Sequence, residues 1–282
     1  MRNVRIFLYI LFVVVAAVFG YDQYVRLKDR DTTAPKITAD QEYIEVSINA
    51  TEEELLQGMH AEDDVDGDVS ASLTVVSRSK FLSKGLVKIS YAAFDSHNNV
   101  ATFTRRVRYT DYVPTHFSAS QPFRYLNRSG YSVLSGVRAV DQLDGDITNR
   151  IRTITSNSAT GTTVTLEVTN TAGDTASLLV NLMADDTESY NMASPGLNTY
   201  IMYTKVNEWP DYRANIRGIW RNGKTVDFAD MGEEASYTED MIYVDDTQVD
   251  YYAEGTYLVE YALYRGDVKL GSSYVYLIVE GN

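Results

Sequence analysis

The chain has 282 residues, no cysteine and a formal charge of −14, from 39 acidic and 25 basic side chains. The missing thiols exclude disulfide frameworks, thiolate metal sites and cysteine nucleophiles. The negative charge argues against nucleic acid as a partner, because phosphates would be repelled.

At the amino end, Arg2 and Arg5 precede an uncharged apolar run from Ile6 to Gly20. Residues 1–5 read as a short cytoplasmic segment and 6–21 as a transmembrane signal anchor, with a cleaved signal peptide as the alternative. Fifteen helical residues rise about 23 Å, short of a hydrocarbon core of about 30 Å, so Tyr21 and snorkelling arginines must cover the mismatch. Residues 22–31 read as a charged stalk. Arg26, Lys28 and Arg30 balance Arg2 and Arg5, so basic residues do not orient the segment. A signal-like start followed by exported-type modules leads to the expectation of a single-pass protein of the cell membrane, with the bulk of the chain extracellular. No apolar tail closes the chain, which places any tether at the amino end.

A repeat follows. Ala61-Glu62-Asp63-Asp64-Val65-Asp66-Gly67-Asp68-Val69-Ser70 returns as Ala139-Val140-Asp141-Gln142-Leu143-Asp144-Gly145-Asp146-Ile147-Thr148, an offset of 78 residues. A period of this size means tandem small domains. Residues 32–111 form the first and 112–186 the second, opened by Thr33-Ala34-Pro35 and, after Asp111, by Val113-Pro114. Short β-branched runs such as Tyr43–Ile48, Gly85–Tyr91, Ala101–Tyr109, Thr163–Val168 and Ala176–Leu182 have the length and spacing of sandwich strands. Thr51 and Glu54 form a capping-box pattern for one helical turn. The Asn- and Gly-rich turns at Asp95–Asn99 and Asn170–Asp174 also correspond.

Residues 187–198 read as a linker and 199–282 as a diverged third sandwich. Trp220-Arg221-Asn222-Gly223-Lys224-Thr225 is a type I′ hairpin signal, and Arg265-Gly266-Asp267 reads as a hairpin turn. From Glu188 onward the chain carries 16 Asp and Glu against 7 Lys and Arg, with 13 of the 22 tyrosines. That surface favours solubility and offers a face to cations or basic partners.

The Thr-Ala-Pro opening, the Asp-Gly-Asp block, the glycine-led strand from Gly85 and the Asn-rich turn at Asp95 to Thr102 together resemble the bacterial surface Ig-like repeats of exported proteins. The resemblance covers roughly residues 32–186. It implies an all-β architecture of tandem Ig-like sandwiches serving adhesion or spacing, and leaves the ligand open.

Two readings of the Asp-Gly-Asp block stand. Asp63, Asp66 and Asp68, with Asp95 from the later turn, offer the oxygen ligands of a calcium site. The alternative is a tight loop whose Asp side chains cap backbone amides around Gly67 and Gly145. The EF-hand register fails, leaving Leu73 where the bidentate Glu belongs, and the second copy has Gln142 in place of a carboxylate. Both departures favour the loop.

Catalytic signatures are missing: His60, His97 and His116 are scattered, without an HExxH pattern, and there is no nucleophile elbow or phosphate loop. A hydrolase would need three close carboxylates or a His dyad lining a cleft. The expectation is therefore a non-catalytic spacer or adhesion protein with no cofactor beyond calcium and a protein or glycan partner at the cell surface. The alternatives are an envelope-assembly subunit, or a carbohydrate binder using Trp209, Tyr212 and Trp220 of the third domain to stack on sugar faces.

Overall fold

The apolar run at the amino end continues as one helix from Arg2 to Lys28. Gly20 does not stop it, since a single glycine costs a helix only about 1 kcal/mol and no proline follows. The expected stalk is therefore helical over residues 22–28. The segment apolar enough to cross a membrane is Arg5–Val25, 21 residues with mean hydropathy 2.0. At 1.5 Å per residue it spans about 32 Å, which removes the expected mismatch. A membrane span and a signal sequence share these properties. In this computed structural model, residues 2–28, 31–126, 132–159, 161–231 and 236–281 are described. Arg30 lies outside them.

The chain divides into two units, Met1–Tyr112 and Val113–Asn282. In the first, a three-stranded sheet pairs Lys36–Ala39 with Met59–Asp63 and Met59–Asp63 with Gly67–Asp68. A four-stranded sheet runs in the order Tyr43–Val46, Val100–Tyr109, Leu86–Phe94, Thr74–Arg78, its first pair parallel and the others antiparallel. Alternation along these strands sends Ile37, Met59 and Ala61 from one sheet and Val87, Ile89, Tyr91 and Val107 from the other into one core. Leu55, on the short helix Glu52–Leu56, closes it, and Tyr91 Oη donates to the Leu55 carbonyl at 3.0 Å. The expected capping box between Thr51 and Glu54 is formed.

The second unit repeats this plan twice. Its first sandwich has Gly145–Asp146, Val137–Asp141 and His116–Ala119 in one sheet. The other sheet holds Arg152–Ser158, Gly161–Thr169, Thr175–Asp185 and Arg124–Leu126, the last pair parallel. Its second sandwich has Ser194–Leu197, Ile216–Arg221 and Lys224–Asp227 in one sheet. The other holds Ile201–Lys205, Val268–Glu280, Gly255–Arg265 and Ile242–Asp245, with Ile201–Lys205 parallel to Val268–Glu280. Strand order and the single parallel pair are thus the same in all three modules. All three are all-β sandwiches.

The third copy diverges where Ile216–Arg221 turns directly into Lys224–Asp227 through Asn222 and Gly223, both at positive φ. That two-residue turn stands where the other modules carry their Asp-Gly-Asp loop. Residues 187–198, expected as a linker, instead contain a helical turn at Thr187–Asn191 and the buried strand Ser194–Leu197, which pairs with Ile216–Arg221. The second and third modules share one continuous core in which Phe123 meets Tyr276 edge-on at 5.6 Å. Backbone pairing adds to it, with Tyr200 N donating to Ala119 O at 2.8 Å.

Candidate functional site

The Asp-Gly-Asp block is first a staple. Asp63 Oδ1 accepts the amides of Val65 and Asp66, and Asp141 Oδ1 those of Leu143 and Asp144. Asp66 reaches the later turn, accepting Ser96 N at 2.7 Å and Ser96 Oγ at 3.0 Å; Asp144 accepts Thr171 N and Oγ1 in the same way. Asp68 and Asp146 each accept the amide two residues on. This is the loop reading, and Asp66 and Asp68 are occupied by it.

Around Asp63 the first module departs from the second. One carboxylate oxygen each from Asp31, Asp63 and Asp95 lie within 4.8 Å of one another. The residues are 9%, 8% and 4% exposed. Each is held from behind: Thr33 N donates to Asp31 Oδ1, two amides to Asp63 Oδ1, and His97 N and Asn99 N to Asp95 Oδ1. Asn99 Nδ2 donates to Asp95 Oδ2 at 2.7 Å and to the Asp31 carbonyl at 3.2 Å. Asp31 Oδ2 and Asp63 Oδ2 are buried with no hydrogen-bond partner. Among the described residues none of the three carboxylates is in an ion pair. Burial pushes the Asp95 carboxyl up, but the hydrogen bonds from Asn99 and His97 outweigh it and hold it below its ordinary 3.8.

In the second module the corresponding oxygen is satisfied. Asp141 Oδ2 accepts Thr115 Oγ1 at 2.6 Å and Asn170 Nδ2 at 3.0 Å. Asn170 occupies the place of Asp95, since Asn170 N bonds Asp174 O as Asp95 N bonds Asn99 O. Strand register pairs Ile37 with Ala61 and Phe117 with Ala139, so Asp31 corresponds to Asp111. Asp111 accepts Ser47 Oγ and Ile48 N, each at 2.7 Å.

Of the four sequence-expected ligands, Asp63 and Asp95 therefore come together, and Asp66 and Asp68 are turned to other work. Asp31 belonged to the expected stalk; its signal was an Asp two residues before each module opening, at Asp31 and Asp111. An all-carboxylate set of this kind is the donor chemistry of a hard cation.

The aromatic candidates separate. Trp220 is only 4% exposed, with Arg124 over its face at 4.8 Å and the Tyr190 ring edge-on at 5.0 Å. It lies on the face of Ile216–Arg221 opposite the core residue Ile219, and the cover of Arg124 and Tyr190 leaves no surface for a sugar, which corrects the expectation. Trp209 is 59% exposed and lies against Tyr251 at 5.4 Å and Tyr252 at 6.4 Å. Tyr212 is half-buried and bonds Tyr251 Oη at 2.6 Å, and Tyr251 donates to Asp246. Burial, then the bonds to Asp246 and Tyr212, push the Tyr251 hydroxyl far above its ordinary value, so it is a fixed donor.

No family model matches the chain, and no curated protein matches it. Among solved structures it is similar to the CBM51-2 (in complex with GlcNAc) and INT domains of Clostridium perfringens ZmpB, at 13% identity and a TM-score of 0.23, covering 53% of this chain and 41% of that one. The M60 catalytic domain of ZmpB with CBM51-1 and CBM51-2 matches at 12% identity and a TM-score of 0.21, over 88% of this chain and 31% of that one. The protocadherin GammaB4 extracellular domain matches at 11% identity and a TM-score of 0.19, over 89% of this chain and 50% of that one. The chain thus spans less than two thirds of the length of each.

Proposed function

We propose that this chain is a membrane-tethered, non-catalytic array of Ig-like modules of the bacterial surface type, acting outside the cell as a spacer and adhesion protein. The observation that carries the reading is the join between an amino-terminal helix of membrane-spanning length and three sandwiches of one topology. A shared core between the second and third modules suits a spacer, because a continuous apolar interface resists bending where a flexible linker would not. The test is protease shaving of intact cells, with the helix followed by amino-terminal sequencing. Digestion of the modules from outside and retention of Met1 or Arg2 in the membrane fraction are expected; protection of the modules in intact cells would overturn the reading.

A second reading, glycan binding by the third module, is favoured by one observation: Trp209 and Tyr252, 59% and 72% exposed, stand together on its surface. Exposed aromatic faces stack on sugar rings. Trp209→Ala should abolish retention of the chain on an immobilised polysaccharide panel. If the intact chain binds no polysaccharide on that panel, this reading falls and the spacer reading stands.

A further inference from the structure

We infer that the first module binds one calcium ion between Asp31, Asp63 and Asp95, and that the second module, built on the same loop, binds none. The inference concerns the first module alone and holds whatever the chain tethers. Three carboxylates with oxygens within 4.8 Å of one another converge on one point, where a cation between them offsets their mutual repulsion. The two unpartnered oxygens, Asp31 Oδ2 and Asp63 Oδ2, are the independent sign that a ligand belongs there. Buried polar atoms are otherwise almost always satisfied.

The second module supplies the internal comparison. There the same Asp oxygen receives a hydroxyl proton from Thr115 and an amide proton from Asn170. By strand register, Thr115 stands where the first module has Pro35, which has no side-chain donor. Hydrogen bonds thus satisfy Asp141, and the first module lacks those donors. Its need is met by positive charge.

The donor set selects the ion. It is entirely oxygen, which disfavours zinc and copper, and it leaves coordination positions for carbonyls and water. Calcium accepts six to eight oxygens in irregular geometry, whereas magnesium demands a tight octahedron and sheds water reluctantly. Few protein ligands imply the weak affinity of extracellular modules, a Kd of about 10⁻⁴ to 10⁻³ M. Asp31 follows closely on the end of the helix at Lys28. The ion would therefore fasten the chain at its entry to the loops carrying Asp63 and Asp95.

The experiment uses the full chain in a non-ionic detergent, stripped of metal, with calcium chloride added in a calorimeter and thermal unfolding followed in parallel. One site per chain is expected, with magnesium at least tenfold weaker. Unfolding of the first unit should rise by about 5–10 °C at roughly tenfold excess over Kd. Asp31→Asn and Asp63→Asn should each abolish binding, while Asp64→Asn, an exposed change in the same loop, should leave it intact. Asp95→Asn copies the residue the second module uses and should also abolish it in a folded chain. In chelator the Asp63→Asn variant should melt higher than the parent, because its new amide can donate to the remaining carboxylates; in calcium it should melt lower. Absence of saturable calcium binding overturns the inference. So does binding that survives Asp31→Asn and Asp63→Asn, or that Asp64→Asn weakens equally.

Discussion

His116 Nε2 lies 3.0 Å from Glu280 Oε1, and the His116 ring stacks on Tyr203 at a centroid separation of 3.9 Å. Residues separated by 164 positions thus join the first strand of the second module to the last strand of the third. Beneath the stack, Tyr203 Oη accepts the amide of Phe117 at 2.8 Å, and burial pushes that hydroxyl up to about 12. This is a junction made of a part-buried hydrogen bond and a more exposed His–Glu contact, and the two differ in worth.

Tyr203→Phe strands the Phe117 amide and should cost about 1–3 kcal/mol, whereas Glu280→Gln removes a partly solvated charge worth about 0–1 kcal/mol. Urea unfolding of the two variants checks the order. If the shared core makes the second and third modules one cooperative unit, both changes shift a single transition for Val113–Asn282. Separate transitions for the two sandwiches would contradict that coupling.

Acid should act on the second module through Asp141. Burial raises this carboxyl, but hydrogen bonds from Thr115, Asn170 and the amides of Asp144 and Leu143 outweigh it, so its folded value lies below the ordinary 3.8. A depressed folded value contributes stability that is present above the unfolded value and lost as pH falls through the folded one. Melting temperature of the second unit should hold down to about pH 4 and then fall. Asp141→Asn should lower stability at pH 7 and flatten the acid limb; an unchanged limb would rule Asp141 out as its source.

Two glycines should behave oppositely to intuition about strands and turns. Gly67 has φ +73° and open space around an added Cβ, so Gly67→Ala should cost only about 1 kcal/mol. Gly218 lies in a strand, where an added Cβ would stand 2.0 Å from the Val226 carbonyl oxygen. Gly218→Ala must push paired strands apart and should cost about 3 kcal/mol or more. Thermal melts of both variants against the parent give the comparison.

Thr51 accepts the amide of Glu54 at 3.3 Å, and Glu54 in return accepts the amide of Thr51 at 2.9 Å. The short helix they cap holds Leu55 in the first core. Thr51→Ala should destabilise the first unit by about 1 kcal/mol, measured by denaturant unfolding. Thr51→Ser should restore most of it.

The local features of this protein were determined by the sequence alone. An uncharged run gives a helix, alternation gives strands, Asn-Gly and Asp-Gly give left-handed turns, and the 78-residue repeat gives tandem sandwiches. The first three depend on neighbours a few positions apart and the last on a repeated string, so each is written in the chain. What joins distant segments was decided only in three dimensions. Trp220 looked like a binding aromatic, and Arg124 and Tyr190, distant in sequence, cover it on the face opposite the core. Residues 187–198 looked like a linker because they are polar, and pairing with Ile216–Arg221 makes part of them core. Asp31 looked like stalk, and the entry of the chain into the first sandwich sets it beside Asp63 and Asp95. Spacing cannot reveal a charge cluster assembled from three loops, because electrostatic repulsion and its remedy depend on distance in space rather than along the chain.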